Sequence, residues 1–441
     1  MRLKLKNIGK VKNAEINLDG LTIITGTNDS GKSTIAKTLY SAIKIGAYNE
    51  NREEKRLEKL VKFYERFISE LKKINLTEQD LLVFDKKELE SHISLNSGKK
   101  IREALKKFID KIENFQYQED KKEKIRKLFI HYASNIRFFT DKGYYIMLVM
   151  SHILDEFKKE IMTKGADSFS VLIEDDFNNV EWGSRSFDYE SMYYSFSKGI
   201  GLLSISDVTY VESPLFVNIL DVLVRASVYE PERDIEGNVV YLPSIALHIK
   251  DFSNKIDYLK YVTEEDCNEY FDEIKSIIDG EFKYNEKNHR LVFCKNNQVV
   301  DDGLDVLNVA SGIKSFGVIQ TLLKVDAIGP QKMLIWDEPE NHLHPEWQVK
   351  FAELIVKLSK VGVPIVVSTH SPYFLQAIRY FSAKEQIEDI TNYYFIEEQD
   401  NNLSEVVDVK DDLNKVFVKL VRPLDEVMNV DLVRMNNKEM K

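Results

Sequence analysis

The chain has 441 residues, 43% of them hydrophobic and 30% charged, with a net charge of −11. That is apolar material for two or three folding units, and the acidic balance excludes a global pull toward nucleic acid or anionic membrane, so any such contact is expected through a local patch. Cys267 and Cys294 are too few for a disulfide framework, no CxxC pair offers a zinc site, and no stretch approaches the roughly 18 apolar residues of a membrane span; a cytoplasmic protein without a cleaved leader and without a membrane partner is expected.

The first elements read as strands. "RLKLKNI" and "NAEINL" alternate apolar and polar residues, and "LTIIT" is a short apolar run of the buried kind. "GTNDSGKST" follows, then "TIAKTLYSAIKI" with helical spacing, which gives strand, glycine loop, helix. From about residue 50 to 165 the chain becomes Lys/Glu-rich, as in "NREEKRLEKLVKFYERFISELKKI", with apolar positions every three to four but no sustained heptad. A compact helical insertion is expected there, its polar faces packing as solvated helix surface. "FSVLIEDD" and "DVTYVESP" are strand-like, and "EFKYNEKNHRLVFCKNNQVV" reads as a hairpin. "LNVASGIKSFGVIQTLLKV", "KMLIWDEPENHLHPEWQVKFAELIVKLSK" and "VPIVVSTHSPYFLQAIRYF" then supply helix, strand, helix, strand, helix.

Residues Gly26 to Ser33 fit G-x-x-x-x-G-K-[ST] between a strand and a helix. In such a loop the glycines let backbone N–H groups and the helix N-terminus face phosphates, the lysine reaches the β- and γ-phosphates and the serine holds Mg²⁺. Gly26, Thr27, Asn28, Asp29, Ser30, Gly31, Lys32, Ser33 and Thr34 are therefore the expected ATP-binding residues. "MLIWDE" delivers Asp337 and Glu338 at the end of an apolar strand, where open α/β sheets place their sites. Asp337, with Ser33, is expected to position Mg²⁺, and Glu338 to take the proton of an attacking water. Ser311 and Gly312 open a helix and would suit the γ-phosphate on a second subunit. His370 ends the strand "PIVVSTH", placed to sense hydrolysis. His342 and His344 lack a third ligand nearby and are expected to shape their loop rather than bind metal, with Pro345 starting the next helix.

With these four blocks in view, "GTNDSGKST", "NVASGIKSFG", "WDEPENHLHPEWQ" and "STHSPYFLQAI", the chain resembles the ABC-type ATPase heads of the SMC, RecF and OLD (overcoming lysogenization defect) group. The resemblance is closest to OLD-like ATPases of bacterial antiphage defence. It implies an α/β P-loop head, a mixed sheet with flanking helices, carrying a helical insertion. It places Ser311, Gly312 and Lys314 in the signature motif acting in trans, Pro339 to His344 in the D-loop, and His370 as the switch histidine. Ile313 and Lys314 depart from the usual LSGGQ signature, which argues against a transporter subunit. No Q-loop glutamine is evident, and Glu212 in "YVESP" occupies the expected place. The implied organisation is 1–49 as the first part of the head, 50–165 as the insertion, 166–300 as the rest of the head with a helical lobe, 301–400 as the signature-to-switch part, and 401–441 as an extension. The implied function is an ATP- and Mg²⁺-dependent head-to-tail homodimer that controls a separate effector, a nuclease or toxin. The chain itself lacks the acidic metal pair of a Toprim nuclease. An SMC/RecF-like DNA-repair clamp acting on nucleic acid is the alternative.

Overall fold

The computed structural model describes residues 1–46, 149–153, 155–158, 160–176, 178–185, 192–197, 203–228, 245–262, 269–399 and 402–422, with isolated helical positions at 69–70, 72–73, 122–124 and 127. The helices expected over 50–165 fall almost entirely outside the described residues, as does the end of the C-terminal extension. The chain divides into two units, Met1–Ala47 with His152–Lys441, and Tyr48–Ser151. The first unit carries every motif named above.

Its N-terminal strands β1 (Arg2–Ile8) and β2 (Val11–Asn17) pair antiparallel and alternate buried with exposed positions, as their sequences do. Strand β3 (Leu21–Gly26) is buried at all six positions and runs into helix α1 (Lys32–Gly46). Strands β4 (Phe169–Glu174), β5 (Asn179–Ser184) and β6 (Met192–Ser197) form a meander against β1. After β7 (Asp207–Val211) come helices α2 (Leu220–Val228), α3 (Leu247–Asp257) and α4 (Glu269–Ile278). The expected hairpin follows as β8 (Gly280–Asn285) and β9 (Arg290–Lys295), joined by a short third strand, β10 (Leu304–Asp305). The last part alternates: α5 (Ser311–Lys324), β11 (Lys332–Asp337), α6 (Pro345–Lys360), β12 (Ile365–Thr369), α7 (Pro372–Lys384), β13 (Thr391–Glu398) and β14 (Ser404–Asp408).

Among the described residues, 11 strands form one mixed sheet in the order β6-β5-β4-β1-β2-β14-β13-β3-β12-β11-β7. The run from β13 to β7 is entirely parallel, so the C-terminal ends of β3, β12, β11 and β7 lie on one edge. Strands buried on both faces need apolar side chains at consecutive positions, which is why "LTIIT", "MLIW" and "IVV" show no alternation. This is the mixed sheet with flanking helices expected of an ABC-type P-loop head.

Aromatic packing fixes the helices against β11. Phe351 on α6 is fully buried, with its ring centroid 5.1 Å from Trp336, 5.2 Å from Phe316 on α5 and 6.4 Å from Phe374 on α7. The small sheet docks on α5 at Gly317, where an added Cβ would stand 2.0 Å from Cε2 of Phe282. Only glycine allows that approach, so this residue sets how closely the hairpin sits on the helix that begins with Ser311.

Candidate active site

The phosphate loop is shaped by two left-handed residues, Asp29 (φ 63°) and Gly31 (φ 113°). At Gly31 a side chain would be strained by its φ and would press on Val11, 2.9 Å from the added Cβ. Lys32 is 5% exposed, and its Nζ donates to the carbonyls of Gly26 (3.1 Å) and Thr27 (2.9 Å). Ser30 Oγ is buried with no hydrogen-bond partner among the described residues. Asp29 is held on the surface by an ion pair with Lys10.

Register brings the acids to this loop. Asp337 on β11 is level with Ser368 on β12, and Ser368 with Ile24 on β3. Ser33 Oγ therefore reaches Asp337 Oδ2 at 2.5 Å, while Ser368 Oγ donates to Asp337 Oδ1 and Tyr210 OH to Oδ2 at 3.2 Å. Glu338 leaves the strand with φ 48°, a conformation that costs a non-glycine residue about 1–3 kcal/mol. Its N–H still donates to the Ser368 carbonyl at 3.0 Å, and the turn swings its carboxylate over the loop. Glu338 Oε1 lies 3.5 Å from Lys32 Nζ and 3.1 Å from His370 Nδ1, and Oε2 accepts from Asn341 at 3.0 Å. Burial works to raise the Glu338 pKa, but the Asn341 hydrogen bond and the charges of His370 and Lys32 outweigh it and hold it below the ordinary glutamate value.

These groups open on a cleft of about 450 Å³ lined by Asn28, Asp29, Gly31, Lys32, Ser33, Thr34, Glu338, Asn341 and His370. Gly26, Thr27 and Ser30 are not among the lining residues, and the first two act through the carbonyls that hold Lys32. The donor set fits ATP with Mg²⁺. Among the described residues Lys32 has two backbone carbonyls and the Glu338 carboxylate at 3.5 Å for its charge, a buried serine hydroxyl has no partner, and the Ser33 hydroxyl and Asp337 carboxylate are the hard oxygen donors that Mg²⁺ takes alongside phosphate oxygens.

The residues expected to form a signature motif stand elsewhere. Ser311 and Gly312 open α5 half-buried, and Ser311 Oγ donates to the His342 carbonyl at 3.4 Å, tying the start of α5 to the loop after Glu338. Lys314 is only 3% exposed, and burial pushes its pKa down against the opposing charge of Asp305. His344 caps α6, its Nδ1 accepting from the Glu346 N–H at 3.4 Å, with Pro345 as the first helical residue.

A second charged group, which the sequence does not reveal, lies between α1, α3 and β7. His248 is 1% exposed and stacks on Tyr210, ring centroids 4.5 Å apart. Its Nδ1 lies 2.6 Å from Glu156 and its Nε2 2.7 Å from Glu212. Burial would lower the His248 pKa, but the hydrogen bonds to Glu156 and Glu212 more than offset it and raise it, while the same bond from His248 lowers that of Glu212. Glu212, flagged by its place in the chain, is thus engaged by the His248 ring. Tyr210, Glu156 and His248 carry no local motif; nothing short of the fold brings them together.

A phosphate-loop strand flanked by parallel neighbours, with an acid pair on the next strand but one, defines a P-loop ATPase. Residues 1–375 match the family model described as AAA ATPase domain (AAA_15), and the chain belongs to that family. No curated protein matches it. The SMC head domain from Thermotoga maritima is similar at 12% identity and a TM-score of 0.37, covering 92% of this chain and 98% of that one. An Smc head domain with an extended coiled coil, bound to the C-terminal domain of ScpA and derived from Pyrococcus furiosus, is similar at 12% identity and a TM-score of 0.42, covering 96% and 98%. These likenesses are distant. No helix among the described residues is long and apolar enough to cross a membrane.

Proposed function

We propose that the chain is an ABC-type ATP switch that pairs head to tail and controls a separate effector protein, a nuclease or toxin, in bacterial antiphage defence. The observation that carries the ATPase part is the convergence of Lys32, Ser33, Glu338 and His370 on one cleft, with Asp337 bonded to Ser33. The pairing part rests on Ser311 and Gly312. They begin a helix outside that cleft, beside the loop that follows the acids, where they are free to meet the phosphates held by a second copy.

In this reading the N–H groups of the phosphate loop and Lys32 bind the phosphates. Mg²⁺ on Ser33 and Asp337 would supply charge neutralisation at the phosphate oxygens. Drawing Lys32 toward phosphate would remove one of the charges that depress Glu338, leaving the carboxylate beside His370 and Asn341 to accept the proton of the attacking water. His370, beside Glu338, is placed to hold the attacking water or the terminal phosphate. Residues 50–165 are the proposed insertion, the segment available for recognising trigger or partner.

The test is the native mass of full-length Glu338→Gln purified with ATP and Mg²⁺, since removing the proton acceptor should hold the paired state. A dimer that Ser311→Arg returns to monomer is expected, and co-purifying mass identifies the effector. A monomer under all nucleotide conditions overturns the pairing.

A further inference from the structure

Glu340 is a carboxylate to which the catalytic reading gives no task, yet the fold spends many contacts on it. It is 5% exposed. Its Oε1 accepts from Thr369 Oγ1 (2.6 Å), the His370 N–H (2.9 Å) and the Ser371 N–H (3.2 Å). Its Oε2 is enclosed and has no hydrogen-bond partner among the described residues. The contacts close into a ring: Ser371 Oγ caps α7 through the Phe374 N–H (3.2 Å) and donates to Gln348 Oε1 (2.8 Å), and Gln348 Nε2 donates to the Leu343 carbonyl (3.1 Å). The loop from Glu338 to His344 is thereby tied to the corner that carries His370.

The imidazole itself stands between two acids. His370 Nδ1 is 3.1 Å from Glu338 Oε1 and 3.4 Å from Glu340 Oε1, aligned for a hydrogen bond with neither. The two carboxylates differ in setting, since the Glu338 side chain is 25% exposed toward the cleft and the Glu340 side chain 4%. An anchor for two backbone N–H groups and a hydroxyl needs only a neutral acceptor. Burial pushes the Glu340 carboxyl pKa up, while the hydrogen bonds from Thr369 and the His370 N–H and the charge of His370 oppose that shift and favour the ionised form beside the ring.

Resting on the proposed roles of Glu338 and His370, we infer that Glu340 is a positioning residue for ATP hydrolysis. It fixes the backbone of His370 and holds Nδ1 of its ring by charge, leaving the other ring nitrogen for the cleft. Because Glu340 belongs to the loop that would face a paired head, displacement of that loop reaches His370 through this carboxylate.

The experiment is single-turnover hydrolysis with full-length protein in excess over ATP and Mg²⁺, together with nucleotide affinity and melting temperature. The chains compared are the wild type, Glu340→Gln, His370→Ala, the double variant and Glu338→Gln. Glutamine keeps the size and one acceptor but removes the charge. Hydrolysis about 10- to 100-fold slower in Glu340→Gln, as for lost supporting contacts at other sites, with unchanged affinity for ATP is expected. The double variant should be no slower than His370→Ala alone, because both changes act on one ring. A wild-type rate in Glu340→Gln, or an equal slowing in the His370→Ala background, overturns the inference. Unchanged turnover in Glu338→Gln is a separate result, which removes Glu338 as the base. Should Glu340→Gln not fold, Thr369→Val takes away one clamp on the carboxylate. Severalfold slower hydrolysis that disappears in the His370→Ala background is then expected, and a wild-type rate overturns the inference.

Discussion

Two charged groups flank Asp337, and they are built in opposite ways. In the cleft, Glu338 stands 3.5 Å from Lys32 and 3.1 Å from His370, partly open to solvent and loosely aligned. Behind the sheet edge, His248 is sealed between Glu156 and Glu212 at 2.6 and 2.7 Å and stacked on Tyr210, whose hydroxyl reaches Asp337. Separation and hydrogen-bond alignment distinguish charges that must change partners when a ligand enters from charges that hold the frame. The cleft group sits at strand ends, where phosphates arrive. The sealed group sits where β7 meets two helices and is satisfied without any ligand.

The contrast is sharpest in function at Glu338. Replacing it with glutamine should slow hydrolysis by about 10²–10⁴-fold, the usual share of a general base, while ATP binding persists; multiple-turnover phosphate release and a binding titration together check this. Lys32→Ala should weaken ATP binding by about 30- to 1,000-fold, as for loss of one partner of a desolvated charge pair, with little change in melting temperature. Ordinary affinity in that variant would show that the loop does not hold phosphate.

The sealed group should respond in the other currency, stability. His248→Ala leaves two carboxylates facing each other without their cation and should destabilise the unit by about 3–5 kcal/mol in urea unfolding. The pH dependence has a defined sign. The raised His248 pKa gives stability that is complete below the ordinary histidine range and lost as pH rises through the raised value. The lowered Glu212 pKa gives stability present above the ordinary glutamate range and lost as pH falls through the lowered value. The gap between wild type and variant should therefore be widest between those two ranges and narrow on the alkaline side. The smallest effect is expected at Gly317→Ala, about 1–3 kcal/mol for a methyl forced against Phe282, read as a lower melting temperature with the cleft chemistry intact.

Much of the cleft is legible in the chain because its parts are local strings. "TIITGTNDSGKST", "IWDEP" and "VVSTH" each contain both a stretch of strand and the residues at its end, so the local string is enough to single out Lys32, Asp337, Glu338 and His370. The strand order is not legible, since the apolar run "LTIIT" has two neighbours and names neither. Glu340 and Asn341 sit inside a motif that was visible, but their partners depend on the left-handed turn at Glu338. His248 looks like any core histidine until Glu156 and Tyr210, distant in sequence, are brought beside it. Lys314 stands in the signature string, yet the helix it opens turns it inward, a matter of helical phase that a motif does not encode.

The place of β3 has a consequence for how the molecule is made. It is translated well before its parallel neighbours β12 and β13, which end at Thr369 and Glu398. Loop closure over such a span is slow relative to local pairing. During synthesis the strand that leads into the phosphate loop therefore waits, apolar and unpaired, while the β1–β2 hairpin beside it can form at once. A nascent chain stalled before residue 365 holds the whole nucleotide-binding string and neither strand that flanks it. Nucleotide can then help assembly only at its end, by tightening a sheet whose last strands have already arrived.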